Sequence, residues 1–182
     1  MTTTTAPALS ALEARAKKIK LAIFDVDGVL TDGSLFYGDD GQEYKAFNSL
    51  DGHGLKMLRR SGVALAIITG RSSQVVVHRA LNLGVEHVYQ GAEDKLAIFE
   101  QALSELKIDA EQTAYMGDDV VDLPVLRRCG LAVCVPQSVA LVKQHVHYVT
   151  ERGGGHGAAR EVCELIMRAQ GTFDQQMAVY LA

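Results

Sequence analysis

"FDVDGVLTDG", residues 24–33, extends the apolar run Leu21–Phe24 and then sets down Asp25, Asp27 and Asp32 with Gly28 and Gly33. A short apolar run bounded by glycine and aspartate reads as a buried strand. Burial and mutual repulsion both oppose the charge of carboxylates gathered at its end, so the cluster calls for a cation. Alone, aspartate and glycine after a strand describe an ordinary solvated turn. A second cluster changes the balance: "MGDDVVD", residues 116–122, also closes a strand-like run, Thr113–Gly117, and would bring more carboxylates to the same edge.

Outward from these two clusters, short apolar runs alternate with segments of helical period. Strands are expected over Lys20–Val26, Val63–Thr69, His87–Gln90, Thr113–Gly117, Leu131–Val135 and His147–Val149. Helices are expected over Gly54–Ser61, Ser73–Leu83, Lys95–Leu106, Leu123–Cys129, Val139–Gln144 and Ala158–Ala169, with Gly62, Gly84, Gly130 and Gly171 as stops. The alternation predicts an α/β fold, a doubly wound parallel sheet covered by helices on both faces. One stretch breaks it. Gly33–Asn48 reads as a hairpin turning at Gly38-Asp39-Asp40-Gly41, with Leu35, Tyr37, Tyr44 and Phe47 too apolar to project alone into water. A partner surface, and so an oligomer, is expected there.

With 182 residues, 48% hydrophobic and 22% charged, the chain matches one ordinary core. Its organisation reads as an N-terminal extension over 1–19, a domain over 20–171 with the hairpin insert 33–48, and a tail over 172–182 without clear period, expected to fray. The only low-complexity tract is Thr2–Thr5. A net charge of −4 argues against nucleic acid or an anionic membrane as partner. No run approaches the roughly 20 apolar residues of a membrane span, and Glu13 and Arg15 interrupt any signal-peptide core, so a cytoplasmic location is expected. Cys129, Cys134 and Cys163 are odd in number and fit neither a zinc knuckle nor a disulfide framework; reduced core thiols are expected.

In open α/β sheets ligands bind beyond the carboxyl ends of the strands. Asp25 and Asp27 close the first expected strand, Thr69, Gly70 and Arg71 the second, and Gly117, Asp118, Asp119 and Asp122 the fourth. Hard oxygen ligands without histidine or cysteine suit Mg²⁺ better than zinc. Such a cluster serves either a two-metal nuclease or covalent phosphoryl transfer. Thr69 with a hydroxyl, Gly70 with an unobstructed backbone and Lys95 at a helix start are phosphate holders, each weak singly and coherent together.

In that order, Asp25-x-Asp27-Gly-Val, Thr69-Gly70, Lys95 and Gly117-Asp118-Asp119-x-x-Asp122, the residues resemble the four motifs of the haloacid dehalogenase-like (HAD) phosphohydrolases. The resemblance implies that Asp25 is the nucleophile and forms an aspartyl-phosphate, and that Asp27 protonates the leaving oxygen and then activates water. It implies Mg²⁺ on the carboxylates of Asp25 and Asp118 and the backbone carbonyl of Asp27, with Asp119 and Asp122 behind the ligands and Thr69 and Lys95 on the transferring group. Many members carry a cap domain between these motifs; here neither gap has room for one.

"KAFNSLDGHG", "AIITGRSS", "VYQGAEDK", "GDDVVDLPV" and "GGGHGAAREVCELI" further resemble a capless branch, the 3-deoxy-D-manno-octulosonate (KDO) 8-phosphate phosphatases, from Lys20 to Gly171. That likeness implies release of phosphate and KDO for lipopolysaccharide synthesis, by a homotetramer whose hairpins assemble centrally. It implies an acid sugar phosphate held by Asp27, Asn48, Ser49, Leu50, Asp51, Gly52, Gly70, Arg71, Arg79 and Lys95. Leu50 stands where the branch often has a basic residue, which keeps nine-carbon acid sugar 9-phosphates as alternative substrates. A non-catalytic binding or regulatory module of the same fold is the other alternative, opposed by the intact set Asp25, Asp27, Thr69, Lys95 and Asp118. "ERGGGHGAAR" resembles a dinucleotide loop only imperfectly and is expected to serve helix packing; His145 and His147 are expected to be structural.

Overall fold

The computed structural model describes residues 6–181, with side chains from Ala11 onward; the Thr2–Thr5 tract lies outside the described residues. The chain opens with α1 (Ala6–Ala16), β1 (Leu21–Phe24) and the hairpin β2 (Phe36–Tyr37) and β3 (Glu43–Tyr44), followed by α2 (Ser49–Arg60), β4 (Ala64–Ile68) and α3 (Gln74–Leu83). Next come β5 (His87–Tyr89), α4 (Lys95–Leu106), β6 (Thr113–Met116), α5 (Leu123–Leu126) and β7 (Leu131–Cys134). The chain ends with α6 (Ala140–Lys143), β8 (Tyr148–Val149), α7 (Ala158–Ala169) and α8 (Phe173–Leu181).

Six strands form one parallel sheet in the order β5-β4-β1-β6-β7-β8, and β2 and β3 pair antiparallel apart from it. Both faces of β1 are covered, which is why its sequence is continuously apolar rather than alternating. Ala22 and Phe24 enter the layer holding Leu55, Leu58, Val162 and Ile166, whereas Leu21 and Ile23 enter the layer holding Phe99, Tyr115 and Leu126. Residues Ala158, Ala159, Val162, Cys163, Ile166 and Met167 form the buried stripe of α7, a helical spacing that seats it beside α2. Register brings the strand ends level: Phe24 pairs with Ile67 of β4 and Met116 of β6. The residues that follow, Asp25, Thr69 and Gly117–Asp118, therefore share one edge.

The six expected strands are all present, and α4 and α7 keep their expected bounds. Helix α5 stops at Leu126 rather than Cys129, and three further details differ. Helix α2 begins at Ser49 rather than Gly54, because the Asn48 side chain caps it by accepting from Leu50 N at 2.8 Å. The tail is no frayed segment: it forms α8, whose Phe173 lies under the Arg168 guanidinium and whose Met177 packs on the core. Gly130 marks no left-handed stop; a side chain there would strike the Glu111 backbone. The extension is continuous with the fold, since Ala16 and Ile19 are buried in the core. The cysteines are free and buried, as expected.

Candidate active site

Asp25 leaves β1 pointing into the crowded edge. Its Oδ1 accepts from Val26 N at 2.6 Å and its Oδ2 from Lys95 Nζ at 2.5 Å. Lys95 opens α4 because Asp94 caps that helix, accepting from Leu96 N and Ala97 N. The buried ammonium then spans Asp25 and Asp122, the latter at 2.7 Å. Asp122 Oδ1 also accepts from Tyr115 Oη at 2.7 Å, and its Oδ2 accepts from Asp118 N at 3.0 Å and Asp119 N at 3.2 Å. Both oxygens of Asp122 are thus engaged with the protein. It holds the loop that presents Asp118 instead of offering a free ligand atom. Asp119 is exposed and caps its own turn at Val120 N.

Carboxylate oxygens of Asp25, Asp118 and Asp122 lie within 4.8 Å of one another. Three acids against one lysine leave an excess of negative charge, and the groups register it. Burial first, then Asp122, pushes Asp25 up to about 6 despite the opposing pull of Lys95. Burial and the charges of Asp122 and Asp25 push Asp118 up to about 7. Burial alone would lower Lys95, yet Asp25 and Asp122 outweigh it and hold it above its ordinary value. Gly28, at φ +85°, is tucked against the Asp118 carboxylate, where any side chain would collide with it. Glycine-rich residues 153–155 support the same loop: Gly155 N donates to Val29 O at 3.0 Å, and a side chain at Gly154 would strike Gly28 O. These contacts set "GGGHG" against the turn after β1, beside the site, whereas helix packing is the expected role. Acid oxygens, compact spacing and uncompensated charge fit Mg²⁺.

The charge balance carries a pH prediction. Asp25 and Asp118 hold their protons in the folded chain to about 6 and about 7, against 3.8 ordinarily, so between those limits the folded state binds more protons than the unfolded one. Metal-free protein should therefore lose stability as pH rises through this window. Mg²⁺, which needs the ionised carboxylates, should bind more tightly over the same rise. Saturation at about 100 times Kd adds about 2.7 kcal/mol, a rise in Tm of about 5–10 °C above about pH 8 that shrinks towards about pH 5. Thermal melts in EDTA and in Mg²⁺ check this; a Mg²⁺ shift that did not vary with pH would contradict it.

Beside the acids sits a network that motif reading missed in part. The Lys45 ammonium contacts Asp27 Oδ1 and lies 3.1 Å from Glu43 Oε1. Arg71 meets Tyr37 Oη, Glu43 Oε1 at 3.2 Å and, at 3.8 Å, Asp27 Oδ2. Strand alternation puts Glu43 and Lys45 on one side of the hairpin and Tyr44 on the other, but it does not show that this side meets Asp27. Thr69 is buried one strand from Asp25, and Gly70 beside it has no atom crowding its Cα.

Of the expected sugar contacts, Asn48 is the helix cap while Ser49 and Leu50 are exposed. Asp51 is buried, and its two oxygens accept from Gly157 N at 3.1 Å and Arg160 N at 2.8 Å, so it pins the start of α7. Arg79 is engaged within the chain, donating to Asn48 O at 2.9 Å and lying over the Phe47 ring, with Gly52 packed beneath its guanidinium. His147 Nδ1 accepts from Ala132 N at 2.9 Å, a structural use.

A parallel sheet whose strand ends gather these acids and this lysine defines a metal-assisted hydrolase, and the family model for haloacid dehalogenase-like hydrolases matches residues 39–130. The chain is 46% identical to the 3-deoxy-D-manno-octulosonate 8-phosphate phosphatase of Escherichia coli K12 over 89% of its own length and 86% of the relative's. Among solved structures, a probable YrbI family phosphatase from Pseudomonas syringae superposes with a TM-score of 0.94 at 53% identity, covering 95% of this chain and 98% of that one. The 3-deoxy-D-manno-octulosonate 8-phosphate phosphatase of Moraxella catarrhalis, solved with magnesium, phosphate and KDO, superposes at 0.91 with 45% identity over 93% and 97%. The chain belongs to the haloacid dehalogenase-like family, in its branch of 3-deoxy-D-manno-octulosonate 8-phosphate phosphatases.

Proposed function

We propose that this chain hydrolyses KDO 8-phosphate to KDO and phosphate, as a Mg²⁺-dependent phosphomonoesterase of lipopolysaccharide precursor synthesis. The observation that carries the reading is the buried Asp25–Lys95–Asp122 chain of contacts beside Asp118, at the strand ends, in a protein this similar to named KDO 8-phosphate phosphatases.

An Asp25 carboxylate oxygen attacks phosphorus, forming an aspartyl-phosphate as the bond to the sugar oxygen breaks. Asp27 gives that oxygen its proton, then takes one from the water that attacks the aspartyl-phosphate and frees Asp25. Lys95 lies on the attacking carboxylate and offsets its repulsion of the phosphate, while Thr69 offers a hydroxyl one strand away. The carboxylates of Asp25 and Asp118 with the carbonyl of Asp27 would hold Mg²⁺. When bound, it neutralises charge that acids and phosphate bring together. Ser49, Leu50 and Arg71 are exposed, and they are assigned to the sugar.

Only the hairpin and α2 separate β1 from β4, and only α3 and β5 separate β4 from α4, so this chain supplies no cap. Leu35, Phe36, Tyr37 and Tyr44 each leave about half of their surface exposed on the hairpin, which supports a homotetramer assembled through residues 33–48. We assign the phosphatase unit to residues 20–171 and the protein to the cytoplasm. Three free buried thiols support that compartment, and no described helix is long and apolar enough to cross a membrane.

Phosphate release should be measured with Mg²⁺ on KDO 8-phosphate, a nine-carbon acid sugar 9-phosphate and an aryl phosphate. Preference for the first by about tenfold or more in kcat/KM is expected, and sedimentation of the same preparation should return four chain masses. Leu50, exposed where the branch often has a basic residue, keeps the nine-carbon sugar as second reading, and preference for it would move the pathway and keep the chemistry. Release from none would support the non-catalytic reading.

A further inference from the structure

We propose that Lys45 is a positioning residue for proton transfer: it sets the carboxylate of Asp27, so that the hairpin is wired to the chemistry. The inference rests on the reading of Asp27 as acid and base given above.

Lys45 follows β3 directly, and its side chain is 1% exposed, unusual for a lysine on a peripheral hairpin. Its ammonium is divided between Asp27 Oδ1 and Glu43, and Glu43 in turn takes the Arg71 guanidinium. Two acids and two bases close this network, which carries one positive charge while Asp27 holds the proton it will donate. Lys45 is no spare cation for phosphate, because its ammonium is already committed to the two carboxyl groups. With Oδ1 held, the other oxygen of Asp27 is left in a set direction. Oδ2 is buried and has no hydrogen-bond partner among the described residues; its nearest cation, Arg71 Nε, stands at 3.8 Å. A buried carboxylate oxygen without a partner is costly to keep. A group that completes it only in the complex, the ester oxygen of the substrate accepting the proton that Oδ2 carries, accounts for both its burial and its lack of a partner. Lys45 keeps that oxygen presented, and Glu43 keeps Lys45 from collapsing onto both oxygens at once.

The test separates positioning from general damage by the leaving group. A sugar alkoxide needs a proton as it departs, whereas a phenolate stabilised by a nitro group departs without one. In the full chain with Mg²⁺, Lys45→Met should lower the single-turnover rate of KDO release from KDO 8-phosphate, the step in which Asp27 gives its proton, by about 30-fold, within the range of general acid–base effects. On a nitrophenyl phosphate the single-turnover release of nitrophenol should slow by less than about threefold, with the half-saturating concentration for that step within about twofold for both substrates. Lys45→Arg, which keeps the charge, should recover most of the loss, and Lys45→Met should add nothing in an Asp27→Asn background. Equal losses on both substrates, or a raised half-saturating concentration at an unchanged single-turnover rate, would overturn the inference. An Asp27→Asn variant lacking the leaving-group contrast would overturn the reading of Asp27 itself. A contrast present in Asp27→Asn and absent in Lys45→Met would overturn the role of Lys45 alone. Melting curves of Lys45→Met and the milder Lys45→Gln confirm that folded proteins are compared.

Discussion

Asp25→Asn should abolish turnover, lowering kcat by about four orders of magnitude or more, and should do so in a protein at least as stable as the parent. The amide keeps the shape of the carboxylate but offers one acceptor where the carboxylate offers two, so either Lys95 or Val26 N gives up its contact, a local cost that the relieved charge offsets. What it lacks is a nucleophile: an amide oxygen at this position cannot form the aspartyl-phosphate. The stability half follows from the proton balance. Burial holds Asp25 up at about 6, so at neutral pH its charge opposes folding before metal binds, and removing the charge relieves that opposition by at most a few kcal/mol. Metal-free Asp25→Asn should thus melt at or above the parent temperature at about pH 8, while the Tm gain from Mg²⁺ shrinks because one ligand charge is gone. Rapid-quench assays and paired melts read both halves. Activity above about 1% of the parent would mean that water or another group attacks phosphorus directly.

The strand ends were legible because their physics is local. A strand covered on both faces must be apolar throughout, as Leu21–Phe24 and Leu131–Cys134 are, and acids stranded at such an end announce a cation. The order of motifs then carried Asp25, Thr69, Lys95 and Asp118 to one edge before any register was known. What escaped depends on contacts remote in sequence. Asp51, two residues beyond Ser49, reads as a ligand-facing acid in "NSLDG", and that reading gives no sign of its hold on amides of α7 over a hundred positions away, at Gly157 and Arg160. An acid capping a distant helix and an acid facing a sugar leave the same mark on the sequence. The early start of α2 was hidden by Gly52 and Gly54, which are poor helix formers kept because Arg79 and Arg160 pack where their side chains would stand. Lys45 acquires meaning only when the hairpin folds back over Asp27. Tyr115 reads as one more apolar strand residue until its hydroxyl is found on Asp122.

Lys95→Met carries the largest expected loss of stability together with a loss of rate. The side chain is nearly inaccessible and its ammonium lies 2.5 Å from Asp25 and 2.7 Å from Asp122. Methionine fills the same space without charge, so the substitution isolates electrostatics from packing. Removing one partner of a buried ionic cluster costs about 3–5 kcal/mol, which for a chain of this length lowers Tm by about 6–20 °C. The pH dependence gives the cause away. Lys95 is held above its ordinary 10.5, so it stays charged throughout neutral pH and contributes its pairing there without titrating. In the variant, Asp25 faces Asp122 without the counter-charge that pulled it down and retains its proton to higher pH than in the parent, so the deficit should be small near about pH 5 and widen towards about pH 8. Mg²⁺ should recover part of the stability, since it neutralises Asp25 and Asp118, but it leaves Asp122 Oδ1 with Tyr115 as its one remaining donor. Turnover should stay about a thousandfold down at saturating Mg²⁺, because the ammonium that relieves the approach of carboxylate to phosphate is gone. A variant that melted with the parent across this range and kept more than about a tenth of its rate would show that the ammonium is not the counter-charge of the nucleophile.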